Sequence, residues 1–265
     1  VDKIDLLLAI DNSISMGDKQ QILAAAVPDL VNRLVTPNCV DENENPTGQT
    51  VDAAGECPDG SAPEFPPIRD INVGIISSSL GDLTSDACST VANPDDKARL
   101  LSRTTGGGEV GTFEGKGFLA WDPDNKRGGE TNAGNLSSDL ADMVKGVNQI
   151  GCGYEMQLES VLRFLADPAP YDKIVRNGTT KKLDKVDVDE VLLAQRKDFL
   201  RPDSLLAILL LSDENDCSVD VTGQGFLLLE PGPFYRATSA CKDDPTSDCC
   251  TSCALNDLSM LDRVF

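Results

Sequence analysis

Three features of the chain predict a fold of the α/β class, a mostly parallel central sheet flanked by helices. Two apolar runs, Ile4 to Ile10 with Asp5 near its start and the unbroken Leu205 to Leu211, have the composition of strands covered on both faces. A third segment, Ile71 to Ser77, alternates and is rich in β-branched residues. Between these runs lie segments with apolar residues at helical spacing, and strand alternating with helix is the signature of this class.

The elements follow in order. The Ile4 to Ile10 strand ends at Asp11. Asp18 with Gln21 resembles a capping box, and Ile22, Leu23, Ala26, Val27, Leu30, Val31 and Leu34 then keep helical spacing over about five turns. Pro28 falls inside this helix and is expected to kink or restart it. Residues 37–69, with Cys39, Cys57 and the Pro-rich stretch Ala62 to Pro67, read as an irregular insertion before the strand at Ile71. Residues 81–134 read as a second, Gly-rich insertion. No strand leads into its glycines and no G-K-[ST] follows them, so it is not a phosphate loop. Helical spacing returns at Leu136 to Val147 and at Leu158 to Leu165, separated by Gly151-Cys152-Gly153. Val188, Val191, Leu192 and Phe199 suggest a further helix, and the Leu205 to Leu211 strand ends in Ser212-Asp213-Glu214-Asn215-Asp216. Residues 219–254 form a third insertion, followed by a helical start from Leu255 to Val264. The reading is one domain over 1–265, its last strands missing or beyond the chain. A chain that opens on a core strand and stops inside a helical pattern is expected to be a piece of a longer, exported precursor.

Composition narrows the function. Lys and Arg number 23 against 44 Asp and Glu, a formal net charge of −21, which repels nucleic-acid phosphates and attracts metal cations. The chain has no histidine, which excludes Ser-His-Asp and Cys-His nucleophile pairs and every His-containing zinc site. Its nine cysteines lie mostly in polar loops with irregular spacing, as loop-stapling disulfides do, and point to an oxidising compartment. Cys250-x-x-Cys253 lacks a second pair to complete a zinc site. The odd count leaves one cysteine to pair outside the chain.

In open α/β sheets, ligands collect at the carboxyl ends of the strands. Two strands here end in acid. The first gives Asp11-x-Ser13-x-Ser15 and the second gives Asp213, so one turn supplies a carboxylate and two hydroxyls, hard oxygen donors of the kind Mg²⁺ or Ca²⁺ takes. Asp and Ser are also common capping and turn residues, and it is the pairing with Asp213 that favours metal. Glu214, Asn215, Asp216 and the acidic run at 41–44 read as solvated loop, Tyr154 and Trp121 as core packing.

The apolar strand ending in Asp-x-Ser-x-Ser, with a second apolar strand ending in Asp213, resembles the von Willebrand factor type A (VWA) domain and its metal-ion-dependent adhesion site. Residues Ala207 to Ser218, Gly151 to Glu155, and Tyr235 to Cys241 leading to Cys249-Cys250 are similar to cysteine-rich exported VWA proteins of myxobacteria and relatives. The resemblance implies a Rossmann-like VWA fold and no enzyme activity. It also implies a metal, Mg²⁺ or else Ca²⁺ or Mn²⁺, held by Asp11, Ser13, Ser15 and Asp213 and offered to a carboxylate of a partner protein. The family's threonine ligand maps to Cys152, and a thiol is a poor ligand for hard cations. Glu155 is the substitute carboxylate, or the site is incomplete. Cys152 paired with Cys217 would staple two loops of the site. The setting implied is secreted or cell-surface, with no membrane span and room for a lipid anchor upstream of Val1. Two other readings stand beside this one. In the first, the protein is a metal-free structural surface or filament protein. In the second it is an Asp-dependent phosphatase, disfavoured because Ser13 stands where those enzymes place a second aspartate.

Overall fold

The structure, a computed structural model, describes residues 3–52, 54–81, 95–151, 155–177, 179 and 183–218. In chain order its elements are β1 (Lys3–Ile10), α1 (Gly17–Val35), β2 (Asn38–Val40), β3 (Pro46–Thr50), β4 (Ala62–Pro63), β5 (Asp70–Ser77), β6 (Leu119–Trp121), α2 (Ala133–Gly146), α3 (Gln157–Leu165), β7 (Tyr171–Arg176), β8 (Leu183–Val188), α4 (Glu190–Phe199) and β9 (Leu205–Leu211). The main sheet runs β6-β5-β1-β9. β1 pairs in parallel with β5 and with β9, and β6 joins β5 antiparallel. The protein is thus a mixed α/β fold with a mostly parallel sheet flanked by helices, as its alternating apolar segments predict.

Alternate side chains of β1 feed two cores. Ile4, Leu6, Leu8 and Ile10 pack with Ala24, Val27 and Val31 of α1 and Leu136, Leu140 and Val144 of α2. Leu7 and Ala9 point the other way, against Phe164 of α3 and Leu192 and Phe199 of α4. An apolar residue at every position of β1 from Leu6 onward follows from this, since helices cover both faces. β9 departs from that pattern. It is the edge strand among the described residues, and Leu205, Leu206, Ile208 and Leu210 are each between 39 and 49% exposed.

Five local expectations need correction. The capping box at Asp18 does not form: α1 begins at Gly17 with no side-chain cap, and the Asp18 carboxylate accepts from the Lys19 N–H instead. Pro28 sits inside α1, which runs on as one helix. Residues 37–69 are more than irregular, because β3-β2-β4 make a small antiparallel sheet of their own, and the Cys39–Cys57 disulfide ties β2 to the loop between β3 and β4. The region 81–134 contains β6 and a turn in which the Asp122 carboxylate accepts the backbone N–H groups of Lys126, Arg127 and Gly128. Val188 belongs to a strand, not a helix: β7 and β8 form a hairpin before α4. Trp121 is buried in the core and donates from Nε1 to the Ile68 carbonyl at 3.1 Å.

Two buried ion-pair hubs anchor the frame. At the start of β1, Asp5 accepts the Arg201 backbone N–H and Nε, each at 2.8 Å, and Arg201 also reaches Asp70. At the start of α4, Asp189 accepts from Arg99 Nε at 3.0 Å and from Arg99 Nη2 at 2.7 Å, caps the helix through the Leu192 N–H at 3.0 Å, and lies 3.4 Å from Arg163 Nη2. Burial pushes the Asp189 carboxyl up, but the Arg99 bonds, the Leu192 N–H and the Arg99 and Arg163 charges outweigh it and leave it below its usual value.

Candidate metal site at the strand ends

The carboxyl ends of β1, β5 and β9 converge, and the loops that leave them carry the polar residues. Asp11 is fully buried. Its Oδ1 accepts the Ser13 N–H at 2.8 Å and lies 3.4 Å from Ser78 Oγ, just past β5, while Oδ2 accepts from Ser212 Oγ at 2.8 Å, just past β9. One carboxylate therefore ties three strand ends together. Its turn is the expected one: a side-chain oxygen bonded to the N–H two residues on is the Asx geometry that Asp favours.

Ser13 and Ser15 point to one place, with their Oγ atoms 3.1 Å apart, and Ser15 Oγ donates to Asp213 Oδ1 at 3.1 Å. The structure thus brings together Asp11, Ser13, Ser15 and Asp213. Ser13 is nearly buried and Asp213 about one-quarter exposed, so the cluster opens to solvent on the Asp213 side. Glu155 stands behind it. Its backbone carbonyl accepts the Cys217 N–H at 2.7 Å, and the next residue, Met156, donates to the Ser78 carbonyl at 3.0 Å. Burial pushes the Glu155 carboxyl up, and the charges of Asp11, Glu214 and Asp213 add to the effect. Cys152 and Tyr154, and with them the expected Cys152–Cys217 pairing, lie outside the described residues, and Cys217 forms no disulfide among the described residues.

Three contributors escape a motif reading. Lys19 reaches back one helical turn, its Nζ 2.9 Å from the Ser15 carbonyl, 2.9 Å from Asp213 Oδ2 and 3.0 Å from Asp18 Oδ1. The Lys19 contact lowers the Asp213 carboxyl below its usual range and outweighs burial, which pushes it up; the Ser15 hydroxyl lowers it further. The i,i+4 step from Ser15 to Lys19 was the available signal. Ser212 and Ser78 are the first residues past β9 and β5, each within a polar run, and strand-end position was their signal. Beneath the site, Asn12 packs so closely on Gly151 that a Cβ there would stand 2.2 Å from Asn12 Oδ1, and the Gly151 N–H donates to the Asn12 carbonyl at 2.7 Å. Asp96 accepts from Ser77 Oγ at 2.5 Å and from Arg103 Nη2 at 3.0 Å. Arg103 in turn donates to the Gly146 and Val147 carbonyls at the end of α2.

Among the described residues no three Asp, Glu or Cys side chains stand close enough to hold an ion as a group. Any ion here would rest on hydroxyls as much as on carboxylates, and the donor set of two serines and two aspartates is all oxygen, as hard cations prefer. Elsewhere the acidic run at 41–44 is an exposed turn in which Asp41 accepts the Asn43 and Asn45 N–H groups. No helix among the described residues is long and apolar enough to cross a membrane. No protein-family model matches the chain, and no curated protein or solved structure matches it.

Proposed function

We propose that the chain is a VWA-type binding module in which Ser13, Ser15, Asp11 and Asp213 hold a divalent cation, Mg²⁺ in the first place, for a carboxylate of a partner protein. The observation that carries this reading is the spacing of three oxygens. Ser13 Oγ to Ser15 Oγ and Ser15 Oγ to Asp213 Oδ1 are each 3.1 Å. Neighbouring ligands about 2.1 Å from an octahedral Mg²⁺ are about 3.0 Å apart, so these donors need little rearrangement. Asp11, too deep to be the main contact, orients the serine turn through the Ser13 N–H. Glu155 adds negative charge from below in place of the family's threonine. A cation bound there would supply a Lewis-acidic point with a coordination position left for an acidic side chain. The Cys39–Cys57 bond supports an exported, oxidising setting.

A second reading, a metal-free structural surface or filament protein, draws on Lys19, whose ammonium already balances Asp213. Titrating metal-stripped protein with Mg²⁺ by calorimetry separates the two. Saturable binding with a constant of about a millimolar or tighter, abolished in Asp11→Ala with the fold intact by circular dichroism, supports the module. Absence of binding in the intact protein supports the structural protein.

A further inference from the structure

Resting on the metal reading above, we infer that Lys19 sets which cation the site accepts, by reducing Asp213 to a single donor oxygen. The two oxygens of that carboxylate have different neighbours. Oδ1 faces the serine pair, 3.1 Å from Ser15 Oγ, whereas Oδ2 is 2.9 Å from the Lys19 ammonium. Lys19 is anchored in turn by the Ser15 carbonyl at 2.9 Å and by Asp18 at 3.0 Å. Its place follows from the start of α1 at Gly17, which puts residue 19 one turn past Ser15, over the same strand end.

The chemistry of the two common hard cations divides at this point. Ca²⁺ takes six to eight oxygens at about 2.3–2.6 Å and often uses a carboxylate through both oxygens, whereas Mg²⁺ keeps six at about 2.0–2.1 Å and takes carboxylates through one. A carboxylate with one oxygen capped by an ammonium serves the second habit and obstructs the first. The 3.1 Å spacing of the hydroxyls points the same way, since neighbouring ligands of Ca²⁺ lie about 3.4 Å apart when arranged octahedrally. Lys19 also opposes any cation by its charge. That effect is the same for two ions of equal charge and cancels from their ratio, so the ratio isolates the capping of Oδ2.

The experiment measures Mg²⁺ and Ca²⁺ dissociation constants by calorimetry on the intact protein and on Lys19→Met, Lys19→Arg and Lys145→Met. Lys145 is exposed, pairs with Asp142 on α2, and gives the same change in net charge away from the site. In Lys19→Met both ions are expected to bind more tightly, and the Ca²⁺ to Mg²⁺ preference to move about tenfold toward Ca²⁺. Lys19→Arg and Lys145→Met are expected to keep the original ratio within about twofold. An unmoved ratio in Lys19→Met, with metal binding intact in the parent protein, overturns the role of Lys19 and leaves the metal reading standing. Weaker binding of both ions in Lys19→Met overturns it as well, since Lys19 would then be a support for Asp213. Failure of the parent protein to bind either ion removes both proposals.

Discussion

At the start of β1, Asp5 is fully buried and meets Arg201 through two direct bonds; one residue past the end of the same strand, Asp11 is equally buried and forms no ion pair among the described residues. Asp11 is held by an N–H and by the hydroxyls of Ser212 and Ser78. A buried charge is tolerated when it is paired and hydrogen-bonded, so Asp5 reads as architecture, its Arg201 clamp joining β1, β5 and the approach to β9. Asp11 stands at the ligand-collecting end of the sheet, held by an N–H and two hydroxyls that orient a carboxylate, with no cationic side chain against it among the described residues. The contrast separates an acid clamped by a cation to close the fold from one that hydrogen bonds alone hold at the strand ends.

The sharpest way to break this comparison is to remove the cation from the first pair and the charge from the second. Arg201→Met leaves Asp5 buried and unpaired and is expected to lower stability by about 3–5 kcal/mol in urea denaturation. Asp11→Asn in EDTA retains an oxygen for the Ser13 N–H and is expected to change stability by less than about 1 kcal/mol. Equal losses in the two variants would remove the distinction. Next in size is the small sheet. Converting Cys39 and Cys57 to alanine opens a loop with a sequence separation of 18 and is expected to cost about 3 kcal/mol, without altering Mg²⁺ binding at the distant strand ends. Magnesium itself is expected to stabilise the parent protein by about 2.7 kcal/mol at one hundred times its dissociation constant, and Ser13→Ala to lose most of that gain in a thermal-shift titration. The smallest effect is in the acid limb. Asp189 sits below its usual value when folded, so its contribution is present above about pH 4 and fades as pH falls through the lowered folded value. Asp189→Asn is expected to flatten the stability profile below about pH 4, read by denaturation at each pH.

The frame was legible in the sequence where burial on both faces forces a simple pattern. β1 and β5 announce themselves by apolar or β-branched runs, and α2 by leucines and valines at helical spacing; α3 forms where its spacing predicts, yet Leu158 and Leu162 are exposed and Ser160, Arg163 and Phe164 are its buried side. The β7–β8 hairpin was not legible, because its strands read Tyr-Asp-Lys-Ile-Val-Arg and Leu-Asp-Lys-Val-Asp-Val. Short, charged strands with little to bury leave no strong period. β6 is three residues long and hides within a polar region organised by the Asp122 carboxylate. β9 was read as a strand covered on both faces, yet among the described residues it is the edge, with Leu205, Leu206, Ile208 and Leu210 exposed, since composition does not reveal which strands have a neighbour on both sides. At the site, Asp11, Ser13, Ser15 and Asp213 could be named because they lie directly past apolar strands. Lys19 could not, because the expected capping box assigned the start of α1 to Asp18, whereas that carboxylate is engaged with Lys19 and the helix has no cap.

Arg103 gives the strand-end region a property that no single loop would have. Its guanidinium holds the last carbonyls of α2 and the Asp96 carboxylate, Asp96 grips Ser77 at the end of β5, and the chain beyond α2 returns to Asn12 through Gly151. The turn bearing the serines therefore has a foundation shared with a helix on the flank of the molecule, like a keystone whose thrust is carried into a side wall. Local opening of that turn would have to loosen the wall as well, so the hydroxyls keep their alignment through the small fluctuations that would scatter them on an ordinary surface loop.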